Sequence, residues 1–345
     1  MRHVNIPIFI PHLGCPNDCI FCNQRTISGC KDFDAGLVEC EIAASLETIG
    51  ESAEVQIAFF GGSFTGIGEE RMTELLESAQ KYVRLGRVGS IRLSTRPDYI
   101  NEDIIKFLKR YPVKTVELGI QSMNDRVLAL SRRGHNSEAS RTAMKLVVDA
   151  GFELVGQMMV GLPGSSLEDE LETARIICDY GAAAARIYPT VVLSGTGLEA
   201  LTVRGEYTPL STEEAVYRCK EIKKHFILRG VECIRLGLQS GVDLAESQAF
   251  EGYHSALGEL VETEIYYDII KAAIEEKRIA DKLRDNELEI YAACGETSKV
   301  LGHRGRNRER LQNEYCVKKI KVIENDSFIR YNILLSVNVR REVQP

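Results

Sequence analysis

Along the first two thirds of the chain, short runs of apolar and mostly β-branched residues alternate with longer stretches in which apolar residues recur every three or four positions. The short runs, 4–10, 55–60, 90–95, 114–120, 153–160 and 183–188, have the length and composition of buried strands. The stretches between them, 37–49, 68–83, 101–110, 123–130, 137–150 and 166–180, carry the period of amphipathic helices, with Asn101, Ser137 and Ser166 marking starts. Strands and helices alternating in this way build a parallel sheet covered by helices, because a parallel crossover needs the length of a helix. The expected fold class is therefore α/β, a partial (β/α)6 TIM-like barrel with its chemistry in the loops that follow the strands.

A helix over 211–229 and a short strand over 231–236 finish the barrel, and Gly230, Gly237 and Gly241 punctuate a loop that sets the domain boundary. The expected domains are 1–240 and 241–345. The second is a small α+β domain: a helix over 255–278, strands over 286–293 and 317–323, a basic helix over 303–314 and a final strand over 328–339.

At 345 residues the chain is longer than one hydrophobic core usually supports, which agrees with two domains. Its 44% hydrophobic and 27% charged residues are those of a globular protein, and no run reaches the roughly 18 apolar residues of a membrane span. The first apolar stretch is too short for a secretory signal and is broken by Pro7 and Pro11, so the expected location is cytoplasmic. In that reducing compartment the ten cysteines read as thiols rather than disulfides, with Cys178, Cys219, Cys233, Cys294 and Cys316 as structural residues in apolar or helical settings. The net charge of −7 hides an asymmetry: residues 299–345 hold 11 Lys and Arg against 5 Asp and Glu, and residues 1–298 hold 32 against 45.

Three cysteines crowd together. Cys15, Cys19 and Cys22 follow the first strand directly, with three and two residues between them, a spacing that lets one loop wrap its sulfurs around a single inorganic core. The number matters, because a structural zinc site closes with four ligands and three thiolates leave a metal position open. A zinc site completed by His12, Cys30 or Cys40 is the alternative. The second strand ends in Gly61, Gly62 and Ser63, and paired glycines there let a ligand approach the backbone without a Cβ in the way.

The cysteine spacing, with an aromatic residue, here Phe21, before the last thiol, resembles the signature of the radical S-adenosylmethionine (SAM) superfamily. Later stretches sharpen the resemblance. Ile91–Ile100, Val116–Ser122, Arg132–His135, Gln157–Gly164 and Arg186–Thr190 are similar to the radical SAM domain of the Elongator catalytic subunit and, more distantly, to oxygen-independent coproporphyrinogen dehydrogenase. The resemblance implies a 4Fe-4S cluster on Cys15, Cys19 and Cys22 whose fourth iron chelates SAM, and reductive cleavage of SAM to a 5′-deoxyadenosyl radical that abstracts hydrogen from a substrate. It also implies an external electron donor such as flavodoxin or ferredoxin.

Carried over by motif position, Gly61, Gly62 and Ser63 stand where the family's Gly-Gly-Glu-type motif meets the SAM amino group, Ser63 being a departure from Glu. Ser94 and Gln121 would face the methionine or ribose, Arg133 the carboxylate and Gln157 the ribose hydroxyls, with Gly161–Gly164 beside the adenine. Arg suits a carboxylate because its planar fork donates two parallel hydrogen bonds. Tyr188 either reaches the substrate or packs the barrel mouth, and His135 reads as a structural hydrogen-bonder.

Beyond the barrel the chain departs from the Elongator subunit: no glycine-rich pyrophosphate loop of the acetyl-coenzyme A kind follows, so acetyl transfer has no support. Arg304, Arg306, Arg308 and Arg310 with Lys318, Lys319 and Lys321 fit phosphate contacts to an RNA substrate, or equally a solvated basic face. The leading reading is a radical SAM enzyme of unidentified substrate, RNA among the candidates. The alternatives are an iron-sulfur electron-transfer or redox-sensing protein without SAM chemistry, and a zinc-stabilised binding module.

Overall fold

Seven strands, β1 (His3–Phe9), β2 (Glu54–Phe60), β3 (Ser90–Thr95), β4 (Val113–Gln121), β5 (Glu153–Val160), β6 (Ala184–Pro189) and β7 (Glu232–Leu236), pair in parallel and in chain order into one curled sheet. The computed structural model describes residues 3–10, 13–15, 19–23, 33–50, 52–238, 250 and 254–339. All six strands expected from the apolar pattern are present, and the seventh lies where the closing strand is expected. Between them run α1 (Val38–Thr48), α2 (Glu69–Arg84), α3 (Glu102–Leu108), α4 (Asp125–Leu130), α5 (Ser137–Asp149), α6 (Leu167–Asp179), α7 (Gly197–Val203) and α8 (Thr212–Leu228).

Local chemistry explains the helix ends. α2 starts on Glu69 and Glu70 and finishes on Lys81 and Arg84, charges that suit the helix dipole, and buries Met72, Leu75, Leu76 and Ala79 along one stripe. Asn101 caps α3 by accepting from Ile104 N, and Ser166 with Asp169 forms a capping box on α6. The start of α5 is capped by Asn136, one residue before Ser137, because the Asn136 side chain accepts from Ala139 N. α7, which the apolar pattern does not reveal, is short and held by Thr196 as its cap.

Because side chains alternate along a strand, the sheet has two unlike faces. Leu118 of β4 and Gly156 of β5 are register partners on the helix side, where a Cβ on Gly156 would meet Ile177 Cγ2 of α6 at 2.5 Å. Their neighbours Gly119 and Gln157 turn to the inside of the curl. That inner face carries a buried ionic network. Arg92 Nη1 donates to Glu117 at 2.8 Å and its Nε to Gln56 at 3.1 Å, while Arg186 places Nε 2.7 Å and Nη2 2.9 Å from the same carboxylate.

By its internal contacts the chain divides into Met1–Ser255 and Ala256–Pro345, so the division falls later than residue 240; Gly241 lies outside the described residues. The second unit holds α9 (Leu257–Glu276), α10 (Ala280–Leu283), β8 (Glu287–Ala292), α11 (Thr297–Leu301), α12 (Arg306–Tyr315), β9 (Lys319–Glu324) and β10 (Leu334–Asn338). β8 pairs antiparallel with β10 and parallel with β9, over a core that includes Tyr266, Ile270, Leu288, Ile290 and Leu311. The basic helix begins at Arg306 rather than 303 because Arg304 (φ 53°) and Gly305 (φ 80°) are left-handed. The last strand is shorter than 328–339, with Tyr331 at φ 67° interrupting the extended run. Cys294 and Cys316 are exposed, not packed in apolar surroundings as expected. No helix among the described residues is long and apolar enough to cross a membrane.

Candidate functional site

The carboxyl ends of the first unit's strands open onto a cavity of about 350 Å³, within the range of small-molecule sites. The loop after β1 and the turn after β2 build one wall together. Ser63 N donates to the Leu13 carbonyl at 2.9 Å, and a Cβ on Gly62 would meet the Leu13 and Ile10 carbonyl oxygens at 2.2 and 2.5 Å. Gly62 is therefore required by the close packing of the cysteine loop, while Gly61, at φ 102°, lines the cavity. Ser63 has a different place from the one expected: it is fully buried, its hydroxyl lies 2.9 Å from Thr95 Oγ1 and accepts from Arg96 N at 3.1 Å. It ties the end of β2 to the end of β3 and does not line the cavity. Gly62→Ala is expected to displace the cysteine loop, so that most of the iron taken up in anaerobic reconstitution is lost; wild-type iron content in the variant would show that this packing does not place the thiols.

Cys15, Cys19 and Cys22 all line the cavity. Their loop is pinned from behind: Ile20 N donates to Ser131 O at 3.2 Å, Leu198 N donates to Ile20 O at 2.7 Å, and Ile20 packs with Val192, Leu198 and Tyr207, Phe21 against the same cluster. Burial pushes the Cys15 thiol up, opposed by Arg133 and Arg96. Arg133 Nη1 stands 3.5 Å from Cys19 Sγ. Among the described residues no three His, Cys, Asp or Glu side chains stand close enough to hold one ion. Cys40 is exposed on α1 and apart from this wall, and His12 and Cys30 lie outside the described residues. Three thiols spread over one wall suit a polynuclear core, whose ligands stand further apart than four closing on a single zinc.

Ser94, Gln121, Arg133 and Gln157 line the same cavity. Gln121 sits at a register shift at the end of β4 with φ 68°, a left-handed conformation that costs a non-glycine residue on the order of 1 kcal/mol or more. It is 4% exposed, and its Oε1 has no hydrogen-bond partner among the described residues. Arg133 has already committed its terminal nitrogens, Nη1 to Cys19 and Nη2 to Gly119 O at 2.8 Å, which leaves Nε rather than the expected fork for a ligand. Arg96, to which the motifs assign no role, also lines the cavity: Asp98 grips it at 2.9 and 2.8 Å while Nη1 has no partner among the described residues. Gly161 is outside the wall, its N–H donating to Glu170 at 2.7 Å and its carbonyl accepting from Tyr207 at 2.7 Å. Tyr188 lines the cavity.

His135 is buried, with Nε2 3.3 Å from the Ile120 carbonyl. Burial, with Arg133 beside it, pushes its pKa down to about 4, so it is neutral near pH 7. The unfolded chain binds this proton more readily, so the contribution to stability is complete above about pH 6.5 and is lost as pH falls towards 4, up to about 3 kcal/mol. His135→Gln is expected to flatten that part of the urea-unfolding pH profile; an unaltered slope would assign the acid limb to other groups.

A recess of about 390 Å³ at the amino ends of β2 and β3 lacks such convergence; of its ionisable residues Glu54 and Arg87, the latter donates to the Leu46 carbonyl at 3.3 Å.

The sequence model of the radical SAM superfamily matches residues 9–177, and that of a radical SAM C-terminal domain matches 182–267. A tRNA uridine(34) acetyltransferase of Methanocaldococcus infernus is 31% identical over 206 residues, 54% of this chain and 39% of that protein. An uncharacterized protein of Methanocaldococcus jannaschii is 30% identical over 233 residues, covering 64% of this chain and 71% of its own length. Elongator complex protein 3 of Homo sapiens is 29% identical over 192 residues, 50% of this chain and 35% of that one. This chain thus spans well under half the length of the two named relatives. Among solved structures, the archaeal Methanocaldococcus infernus Elp3 with an N-terminal deletion superposes with a TM-score of 0.58 at 23% identity, over 80% of this chain and 63% of that one, which shows a shared fold. The two sequence models follow one another along the strands that build the cavity, and the chain accordingly belongs to the radical SAM superfamily of enzymes.

Proposed function

We propose that the cavity holds a 4Fe-4S cluster on Cys15, Cys19 and Cys22 with SAM beside it, and that the protein uses the pair to abstract hydrogen from a substrate. The observation that carries this is the placing of three thiols, with no other cysteine or histidine among the described lining residues, on the cavity that also contains Gln121 Oε1 and Arg133 Nε, both without a partner among the described residues. When bound, cluster and SAM provide one-electron cleavage to methionine and a 5′-deoxyadenosyl radical. The chain's own residues bind and orient. Arg133 holds its guanidinium 3.5 Å from Cys19 Sγ, beside the place a bound cluster would take. Gly61 offers backbone without a Cβ, Gln121 an acceptor fixed by burial, and Ser94 and Gln157 further hydrogen bonds; Phe21 closes the wall beside the last thiol. Cys15 and Cys22 are only half-buried, which leaves a path for an electron from an external donor of the flavodoxin or ferredoxin kind.

Anaerobic reconstitution with iron and sulfide, followed by dithionite and SAM, is expected to release 5′-deoxyadenosine and methionine. A loaded cluster that leaves SAM intact would remove this function and favour electron transfer instead. The relatives named as tRNA uridine(34) acetyltransferases support RNA as the substrate, as do Arg304, Arg306 and Arg308, exposed and without an ion pair among the described residues. Arg310, Lys319 and Lys321 add less, being paired with Glu264, Glu287 and Glu289. Binding of tRNA to filters should weaken steeply with salt, the slope falling by about 0.7 to 0.9 per phosphate-contacting arginine removed; no affinity at low salt would discard RNA.

A further inference from the structure

We infer that Arg235, with Arg186 and Tyr188, binds an oxyanion of the substrate, a carboxylate or a phosphate group; this rests on the function proposed above. Arg186 and Arg235 are register partners on β6 and β7, and both line the cavity. Neighbouring strands lie about 5 Å apart, so two such side chains on one face stand side by side, and like charges placed that way repel.

On the cavity wall the described residues offer this pair a single counter-charge, and Arg186 already holds it. Among the described residues Glu117 is the one carboxylate lining the cavity, and that carboxylate is shared by Arg92 and Arg186 at 2.8 and 2.7 Å. Arg235 donates Nε to the Gly237 carbonyl at 3.1 Å, and its terminal nitrogens have no partner among the described residues. Burial keeps the Tyr188 phenol protonated, so it remains a donor. An oxyanion between Arg235 and Tyr188 provides the missing negative charge and matches the planar fork.

The placement fits a substrate rather than a cofactor. β1, which leads into the cysteine loop, and β7, which carries Arg235, are the two opposite edges of the sheet. Val191, Leu193 and Leu238 form an apolar cluster on the same wall and suit the uncharged body of such a molecule.

The test titrates cluster-loaded protein saturated with SAM, so that any site for SAM's own carboxylate is filled, with inorganic phosphate and separately with acetate at low ionic strength. Calorimetry is expected to give millimolar binding of at least one anion, about tenfold weaker binding by Arg235→Gln, and an intermediate value for Arg235→Lys, which keeps the charge and loses the fork. Tighter phosphate binding assigns a phosphoryl group, tighter acetate binding a carboxylate. Lys106→Gln, exposed on α3, paired with Glu102 and Asp103 and outside the cavity wall, should bind as wild type. If Arg235→Gln fails to fold, Arg235→Lys and protection of Arg235 from phenylglyoxal by the bound anion decide instead. No anion bound by the wild type, or equal binding by Arg235→Gln, overturns the inference. Release of 5′-deoxyadenosine in the wild-type samples reports separately on the function: cleavage without anion binding sinks only the oxyanion site, and anion binding without cleavage sinks only the radical chemistry.

Discussion

Cys19→Ala should leave the reconstituted protein without its cluster and reduce 5′-deoxyadenosine release to background, while the fold survives. Cys19 is the most buried of the three thiols and the one that Arg133 approaches, so under the proposed function its loss removes one of the three cluster ligands. The loop around it is held by other means: the backbone bonds from Ile20 to Ser131 and from Leu198 to Ile20, and the apolar cluster under Ile20. Removing one small buried sulfur is expected to cost about 1 kcal/mol, or roughly 2–4 °C in melting temperature. Cys40→Ala, exposed on α1, is the control and should keep both iron and activity. A Cys19→Ala protein that still binds four irons and cleaves SAM would mean that the ligand set has been misassigned.

Glu117→Gln is expected to be the most destabilising conservative change in the first unit. Glu117 is 1% exposed and is the counter-ion for both Arg92 and Arg186. Glutamine has the same shape but no charge, so two guanidiniums would be left facing each other across the sheet. Breaking a buried pair from one side typically costs about 3–5 kcal/mol, because the remaining charge stays desolvated. Urea unfolding should show a loss of that order. A loss below about 1 kcal/mol would mean that water reaches the network and screens it, as at exposed pairs.

The strands and the cysteine loop were legible because both are local signals. A buried parallel strand must be apolar over several consecutive residues, and three thiols in eight positions have few structural explanations. Gly62 was legible as a glycine but not for its reason: the carbonyls of Ile10 and Leu13 that forbid a Cβ belong to another loop, and no spacing rule reveals them. Ser63 was read by its motif position, yet its hydroxyl is committed to Thr95 and Arg96, partners set by the pairing of β2 with β3. Arg96, Glu117, Arg186 and Arg235 converge only once the register is known. The left-handed Gln121 is likewise a product of the register shift between β4 and β5, not of its own preference.

The alternation along the strands divides two tasks between odd and even positions. Residues turned to the helices pack the core, and those turned inward, apart from the network around Glu117 and the Thr95 tie to Ser63, mainly line the cavity. A lineage could therefore exchange one molecule for another at this cavity by altering every second residue of a few strands. The scaffold would carry new specificities without being rebuilt.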